Sequence, residues 1–201
     1  MKTETQLIRL ADGRELELRK PQPDRDLEAM IAFFSSLPRQ LRNYLRYNVT
    51  NVELCRKRLE SVDEKIHWRL IAELEGVIVG EGSMDREPFA WTHHIAHVRT
   101  VVKPEAKSLG IATLLLRRLV ELGSGSGVER FYSEVIKEHT EMIQILEKEG
   151  FAHETTRKSY ARDLKGKLHD VVVMANDQSA VWRKLEEHVE ALDVGIPKIY
   201  R

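Results

Sequence analysis

The chain has a single cysteine, no surplus of either charge, and no apolar run long enough for a membrane span. One thiol, Cys55, excludes an intramolecular disulfide and suits a reducing compartment. Lysine plus arginine equals aspartate plus glutamate at 32 each, a formal net charge of zero. A surface dedicated to nucleic acid needs a basic surplus, so the composition argues against one. A membrane-spanning helix needs ~20 consecutive apolar residues, and no stretch approaches that. The opening Met1-Lys2-Thr3-Glu4-Thr5 lacks a secretory signal's apolar core. Without that signal, the sequon Asn48-Val49-Thr50 reads as coincidence. There is no internal repeat and no low-complexity tract. The expectation is a cytoplasmic protein with no nucleic-acid or membrane partner and no metal. At 201 residues it can form one domain with a full core, or one domain plus an appendage.

What is present falls into ordered segments. Thr5 to Arg19 reads as a β-hairpin turning at Asp12-Gly13, with Leu7, Leu16 and Leu18 at alternating positions. Asp24 is placed to cap a helix striped by Leu27, Met30, Ile31 and Phe34, which Pro38 ends. Shorter helices are predicted over 40–47 and 51–62, the latter burying Cys55. Strands follow from His67, with a turn at Glu75-Gly76 and a return through Val77 to Gly82. A β-branched strand spans 93–102, a helix begins at Ala112, and Gly123 to Gly127 reads as a flexible connector. A strand over 128–136, a helix over 139–149 and two closing strands complete the pattern. Over 178–192, Val181, Leu185, Val189 and Leu192 recur at helical spacing, for packing on the domain or for a homodimer contact.

The stretch from Thr100 to Thr113 organises these segments. A strand ends at Pro104, which has no N–H to donate to a ladder. Lys107-x-x-Gly110-x-Ala112 follows, and a helix opens at once. A strand, a glycine turn and a helix N-terminus together make a place for a phosphate, because free N–H groups and the helix dipole converge there. Gly110 permits close backbone approach.

These residues resemble the acyl-CoA pyrophosphate loop of the GNAT superfamily of N-acyltransferases, with Lys107 where Arg or Gln is usual. His139-x-x-Met142-Ile143-x-Ile145-Leu146-Glu147-Lys148-Glu149-Gly150-Phe151 resembles the superfamily's second signature and keeps its Glu-Lys-x-Gly-Phe ending. His139 falls where an asparagine often contacts CoA, and Leu146 where a tyrosine often acts as acid. The resemblance implies an α+β fold. Its sheet would be mixed and largely antiparallel, with one parallel crossover at the CoA site and helices on both faces. It divides the chain into an N-acyltransferase domain over 1–176 and a C-terminal amphipathic helix and tail over 177–201. The segment layout is most similar to bacterial protein lysine acetyltransferase domains.

The resemblance implies acyl-CoA, acetyl-CoA foremost, as donor and an amine as acceptor, on a small molecule or on a protein lysine or N-terminus. Thr100, Val101 and Val102 would take the pantetheine arm. Lys107 and the N–H groups of Ser108, Leu109, Gly110, Ile111, Ala112 and Thr113 would take the pyrophosphate, with Lys107 acting mostly through its backbone. His139 would contact CoA or cap its helix. Direct attack by an amine needs a proton acceptor, oxyanion donors and a proton for the thiolate. Glu134 matches the base position of ribosomal-protein acetyltransferases in the family. His94 is a second candidate, beside Ala96, which stands at another base position of the superfamily and cannot act. Tyr132 and Tyr160 are candidate replacements for the acid. Leu146 and His139 leave open a different class of function, a catalytically impaired acyl-CoA-binding or sensing module.

Overall fold

A computed structural model describes residues 5–42, 45, 51–63, 65–163 and 165–177. The helix predicted over 178–192, and most of the segment from 43 to 50, lie outside the described residues. Eight strands form one sheet: β1 (Gln6–Arg9), β2 (Glu15–Arg19), β3 (His67–Leu74), β4 (Val77–Arg86), β5 (Ile95–Val102), β6 (Arg130–Ile136), β7 (Ala152–Arg162) and β8 (Leu168–Asp177). Their order is β1-β2-β3-β4-β5-β6-β8-β7. Every neighbouring pair is antiparallel except β5 and β6. The helices are α1 (Pro23–Ser36), α2 (Arg39–Arg42), α3 (Val52–Glu60), α4 (Ile111–Ser124) and α5 (Thr140–Lys148). The mixed, largely antiparallel sheet with one parallel crossover agrees with the sequence reading.

The sheet has a core on each face. On one, α4 and α5 bury Leu115, Leu119 and Leu146 against Leu70, Val98 and Phe131. Gly80 and Gly82 of β4 let α4 lie close, since a Cβ there would meet Leu115 or Leu119 at 3.2 and 3.0 Å. On the other face, α1 and α3 bury Met30, Phe33, Phe34, Cys55 and Leu59 against Ile71 and Ile78. Burial pushes the Cys55 thiol up from its ordinary range, as befits a packing residue.

Several local readings change. Leu7 is exposed and Ile8 packs on the core, because Ile8 and not Leu7 pairs with Leu16. Asp24 does not cap α1. Gln22 stands at the cap, Pro23 occupies the first turn, and the buried Asp26 carboxylate accepts the Gln22 N–H at 2.7 Å. Gly123 is no linker residue. It lies inside α4, buried against Met84 and Phe131, so α4 runs through the first glycine and serine of the Gly-Ser tract.

Candidate active site

β5 reaches its end at Val102, and Lys103 donates its N–H to the Val79 carbonyl at 2.8 Å, closing the β4 ladder. Pro104 then opens a single 3-10 turn over Pro104–Ala106. Ser108 and Gly110 both adopt left-handed backbone, φ 68° and 75°, and fold the loop back into α4. Gly110 is the helix cap and has no side chain with which to satisfy the first-turn N–H groups. A Cβ at Gly110 would meet nothing within 4 Å, so the helix end opens into free space. Ala112 and Thr113 stand half-buried beside it, while Ile111 and Leu109 turn their side chains into the core. Lys107 donates its N–H to the Pro104 carbonyl at 3.2 Å. Its Nζ pairs with Glu141 Oε2 at 2.6 Å, tying the loop to the first turn of α5.

The parallel strands β5 and β6 pair only at Ile95–Arg130, Ala96–Phe131 and His97–Tyr132. Beyond these they separate, leaving a split beside the α4 N-terminus. Alternation along β5 shows which backbone groups face it. The Lys103 N–H and the Ile95 carbonyl bond towards the β4 side, and the His94 carbonyl accepts from Glu129 and Arg130 on the β6 side. The His97–Tyr132 pair takes the Val98 N–H for the Tyr132 carbonyl, so the Val98 carbonyl and the N–H and C=O groups of Thr100 and Val102 are directed into the split, and Val101 directs its own to β4. Val101 packs instead with the α1–α3 core. Thr100 Oγ1 lies 3.8 Å from Met142 Sδ of α5, on the split's far wall. His139 is the α5 cap residue. Its carbonyl accepts from Met142 and Ile143, while its side chain makes no capping bond. Burial holds its imidazole below the ordinary histidine range, aided by the Lys107 charge against the opposing pull of Glu138.

On the α3 side of the sheet lies a cavity of about 450 Å³. Register arranges its floor in rows across β3, β4, β5 and β6. One row is His67, Asp85, His97 and Tyr132, and the next is Arg69, Ser83 and Arg99. Asp85 accepts from Arg69 at 2.6 Å, lies 2.9 Å from His67 Nδ1, and has Arg99 at 3.5 Å. Burial alone would raise its pKa, and these partners hold it below the usual carboxylate range. Tyr132 donates its hydroxyl to Glu87 at 2.6 Å, and its ring meets that of His97 at 4.9 Å between centroids. Glu134, with 10% of its side chain exposed, pairs with Arg157 of β7 at 2.5 Å. His94 is exposed and sits before β5, at the end away from the split. Tyr160 is exposed against Arg157. Leu146 is fully buried, with no hydroxyl and no access.

The model of the Acetyltransferase (GNAT) family matches residues 30–151, more than half of the chain and both signatures. The chain belongs to the GNAT family. Over 94 residues it is 29% identical to the L-amino acid N-acetyltransferase AaaT of Escherichia coli K12, covering 46% of this chain and 58% of that protein. The chain thus spans little more than half the length of that relative. Its fold matches the ribosomal-protein-alanine N-acetyltransferase of Brucella melitensis with a TM-score of 0.70 at 23% identity, covering 80% and 98% of the two chains. It matches the GNAT domain of S. lividans PAT with a TM-score of 0.70 at 20% identity, covering 86% and 96%. A Salmonella typhimurium protein solved with its cofactor acetyl-CoA also gives 0.70, at 15% identity over 81% and 94%.

Within this GNAT chain, Thr100, Val102 and the loop over 107–113 lie on the β5 side of the split and Glu134 and His139 on the β6 side, while Val101 faces away from it. It adds a cavity that the sequence reading did not find. His97, Arg99 and Arg69 form its floor, yet β3 and β5 are buried on both faces, so no alternation marks which side chains face a cavity. Tyr132 is the one acid candidate on its wall. Among the described residues no group of histidine, cysteine, aspartate and glutamate is arranged to hold a metal, and no helix is long and apolar enough to cross a membrane.

Proposed function

We propose that the protein transfers an acyl group, acetyl in the first instance, from acyl-CoA to an amine. The observation that carries this is the split between β5 and β6, which pair no further than His97–Tyr132, opening beside the α4 N-terminus whose cap residue Gly110 offers no side chain. The pyrophosphate fits the N–H groups from Ser108 to Thr113, where free donors and the helix dipole favour an anion. The pantetheine arm fits along β5 and brings the thioester to the split, where backbone N–H groups stabilise the developing oxyanion. Lys107 and His139 border this donor site.

The acceptor enters from the cavity side. Its nitrogen attacks the thioester carbonyl carbon, the C–S bond breaks, and the electron pair leaves on sulfur. Glu134 receives the ammonium proton, directly or through water, while bonded to Arg157. With Leu146 buried, the thiolate takes its proton from water or from Tyr132. A thiol pKa near 8.5 makes this departure tolerable without a dedicated acid. Amino acids, the acceptors in the name of the E. coli relative, and a ribosomal-protein alanine, that in the name of the Brucella one, are alternatives at this site. A second reading, an acyl-CoA-binding module without turnover, draws on two observations: Glu134 is already ion-paired, and position 146 holds no proton donor.

Two measurements test the proposal. Calorimetry should show acetyl-CoA binding, weakened by more than about tenfold in Gly110→Asp, or ~1.4 kcal/mol. Aspartate tolerates left-handed backbone better than most residues, so the added charge and not misfolding is read. Unchanged affinity in a folded variant removes the pyrophosphate site. CoA release on an amine panel should be lost by about a hundredfold or more in Glu134→Gln near pH 7, with acetyl-CoA affinity kept. The loss should shrink at higher pH, where more amine is already neutral. Wild-type turnover in the variant removes Glu134 as base, and tight binding without turnover on any amine selects the binding module.

A further inference from the structure

We propose that the acceptor is a free amino acid, and that Arg99 holds its carboxylate while the amine faces Glu134. This rests on the acyl-transfer reading above and narrows its acceptor. The chain as a whole is neutral, yet the cavity is not. Lys57, Arg58, Arg69, Arg86 and Arg99 line it against Asp85 and Glu87. Counting Glu81, which pairs with Arg58 at 3.3 Å, positive charge still exceeds negative.

The cations differ in their duties. Arg69 donates to the carbonyls of Trp68 and Met84, and Arg86 to that of Ser126, so both are locked into the frame. Arg58 serves Glu81, and Lys57 pairs with Glu53 at the surface. Arg99 stands on the cavity floor 3.5 Å from Asp85. Arg99 stands two residues beyond His97 on β5, and Glu134 two residues beyond His97's partner Tyr132 on β6. A cation on β5 and a carboxylate at the matching step of β6 suit the two ends of an amino-acid zwitterion. A guanidinium suits the carboxylate because it can donate two parallel N–H bonds. A protein lysine or N-terminus brings no anion beside its amine and would leave the positive field uncompensated. At about 450 Å³ the cavity also has room for an amino-acid side chain.

The test compares acetylation of the L-amino acids with that of their carboxamides, which lose the negative charge, with rates referred to the neutral amine present because the carboxamide's amine is the less basic. In the wild type, the carboxamide of the best amino acid should fall by about tenfold or more in kcat/KM, chiefly through KM. In Arg99→Gln the two should converge, with acetyl-CoA affinity unchanged, and Arg99→Lys should restore part of the gap. Equal rates for acid and amide in the wild type overturn the proposal, whether or not the variants fold. Acetylation of peptide N-termini or lysines with free amino acids refused also overturns it, while leaving acyl transfer standing. If no amine is acetylated, the acyl-transfer reading fails separately. Calorimetry on the CoA-loaded protein then decides: N-acetyl amino acids bound about tenfold tighter than N-acetyl amino-acid amides support the carboxylate site, and no preference removes it.

Discussion

At Gly123 a single added methyl would lie 2.7 Å from Phe131 Cε1 and 2.8 Å from Met84 Sδ. Two effects oppose each other there. Alanine is favoured over glycine inside a helix by about 1 kcal/mol. Overpacking a filled core costs about 1–3 kcal/mol, and the Phe131 ring is a stiff neighbour in the core. The clash wins, so Gly123→Ala should lower stability by about 1 kcal/mol in chemical denaturation. A linker glycine would behave in the opposite way, and a stabilised variant would return Gly123 to that role. The residue scale also shows what a linear chain discloses. The donor loop and Glu134 are legible because their signal is local, a strand and a turn followed by a helix, or a fixed distance before His139. His97 and Arg99 are not, since their role depends on α3 covering β3, β4 and β5, a relation between distant segments. The ion pair of Glu134 with Arg157 is hidden for the same reason: it needs β7 to lie beyond β8, outside the sequential strand order.

Among the elements, the β7–β8 hairpin is clamped to the start of α5 by one buried histidine. His169 of β8 lies 3.0 Å from Glu138 Oε1, in the loop after β6, and 3.3 Å from Asp163 Oδ2, at the hairpin's turn. Glu138 precedes His139, the cap of the helix whose first turn pairs with Lys107, so the clamp bears on the donor loop. The hydrogen bonds to Glu138 first, and to Asp163 second, raise the His169 pKa above 6.5. The folded state therefore binds the proton more tightly than the unfolded chain. The contribution is complete below about pH 6.5 and is lost as pH rises through the raised folded value. Thermal unfolding followed upward from pH 6 should show a decline that His169→Gln lacks. Parallel pH profiles for the two proteins would mean that the clamp carries no charge-dependent stability. The hairpin itself is legible in sequence, as Lys165-Gly166-Lys167 between two strand-like runs. The clamp was not, because nothing in sequence links position 138 to 163 and 169.

For the whole molecule, the sheet separates two cores, and one buried ionic cluster secures the side away from the donor loop. Arg19 of β2 donates to both oxygens of Asp26 in α1, at 2.6 and 2.8 Å, and to Glu73 of β3 at 2.6 Å. Burial would raise the Asp26 pKa, but Arg19 and the Gln22 N–H hold it below the ordinary range. Removing one partner of a buried pair costs about 3–5 kcal/mol, because the other charge is left without its match. Glu73 still serves Arg19, which places Asp26→Asn at about 3 kcal/mol, a drop in Tm of roughly 6–12 °C for a chain of this size. Acetyl-CoA at about a hundred times its Kd should add ~2.7 kcal/mol to any folded form that keeps the donor site. That site is built from β5, α4 and α5, whereas Asp26 joins α1 to β2 and β3. Added donor should thus raise the Tm of the wild type and of Asp26→Asn by similar amounts, leaving the gap between them intact. A variant that gains much less than the wild type would mean that the two faces of the sheet are coupled, and that α1 helps to shape the split.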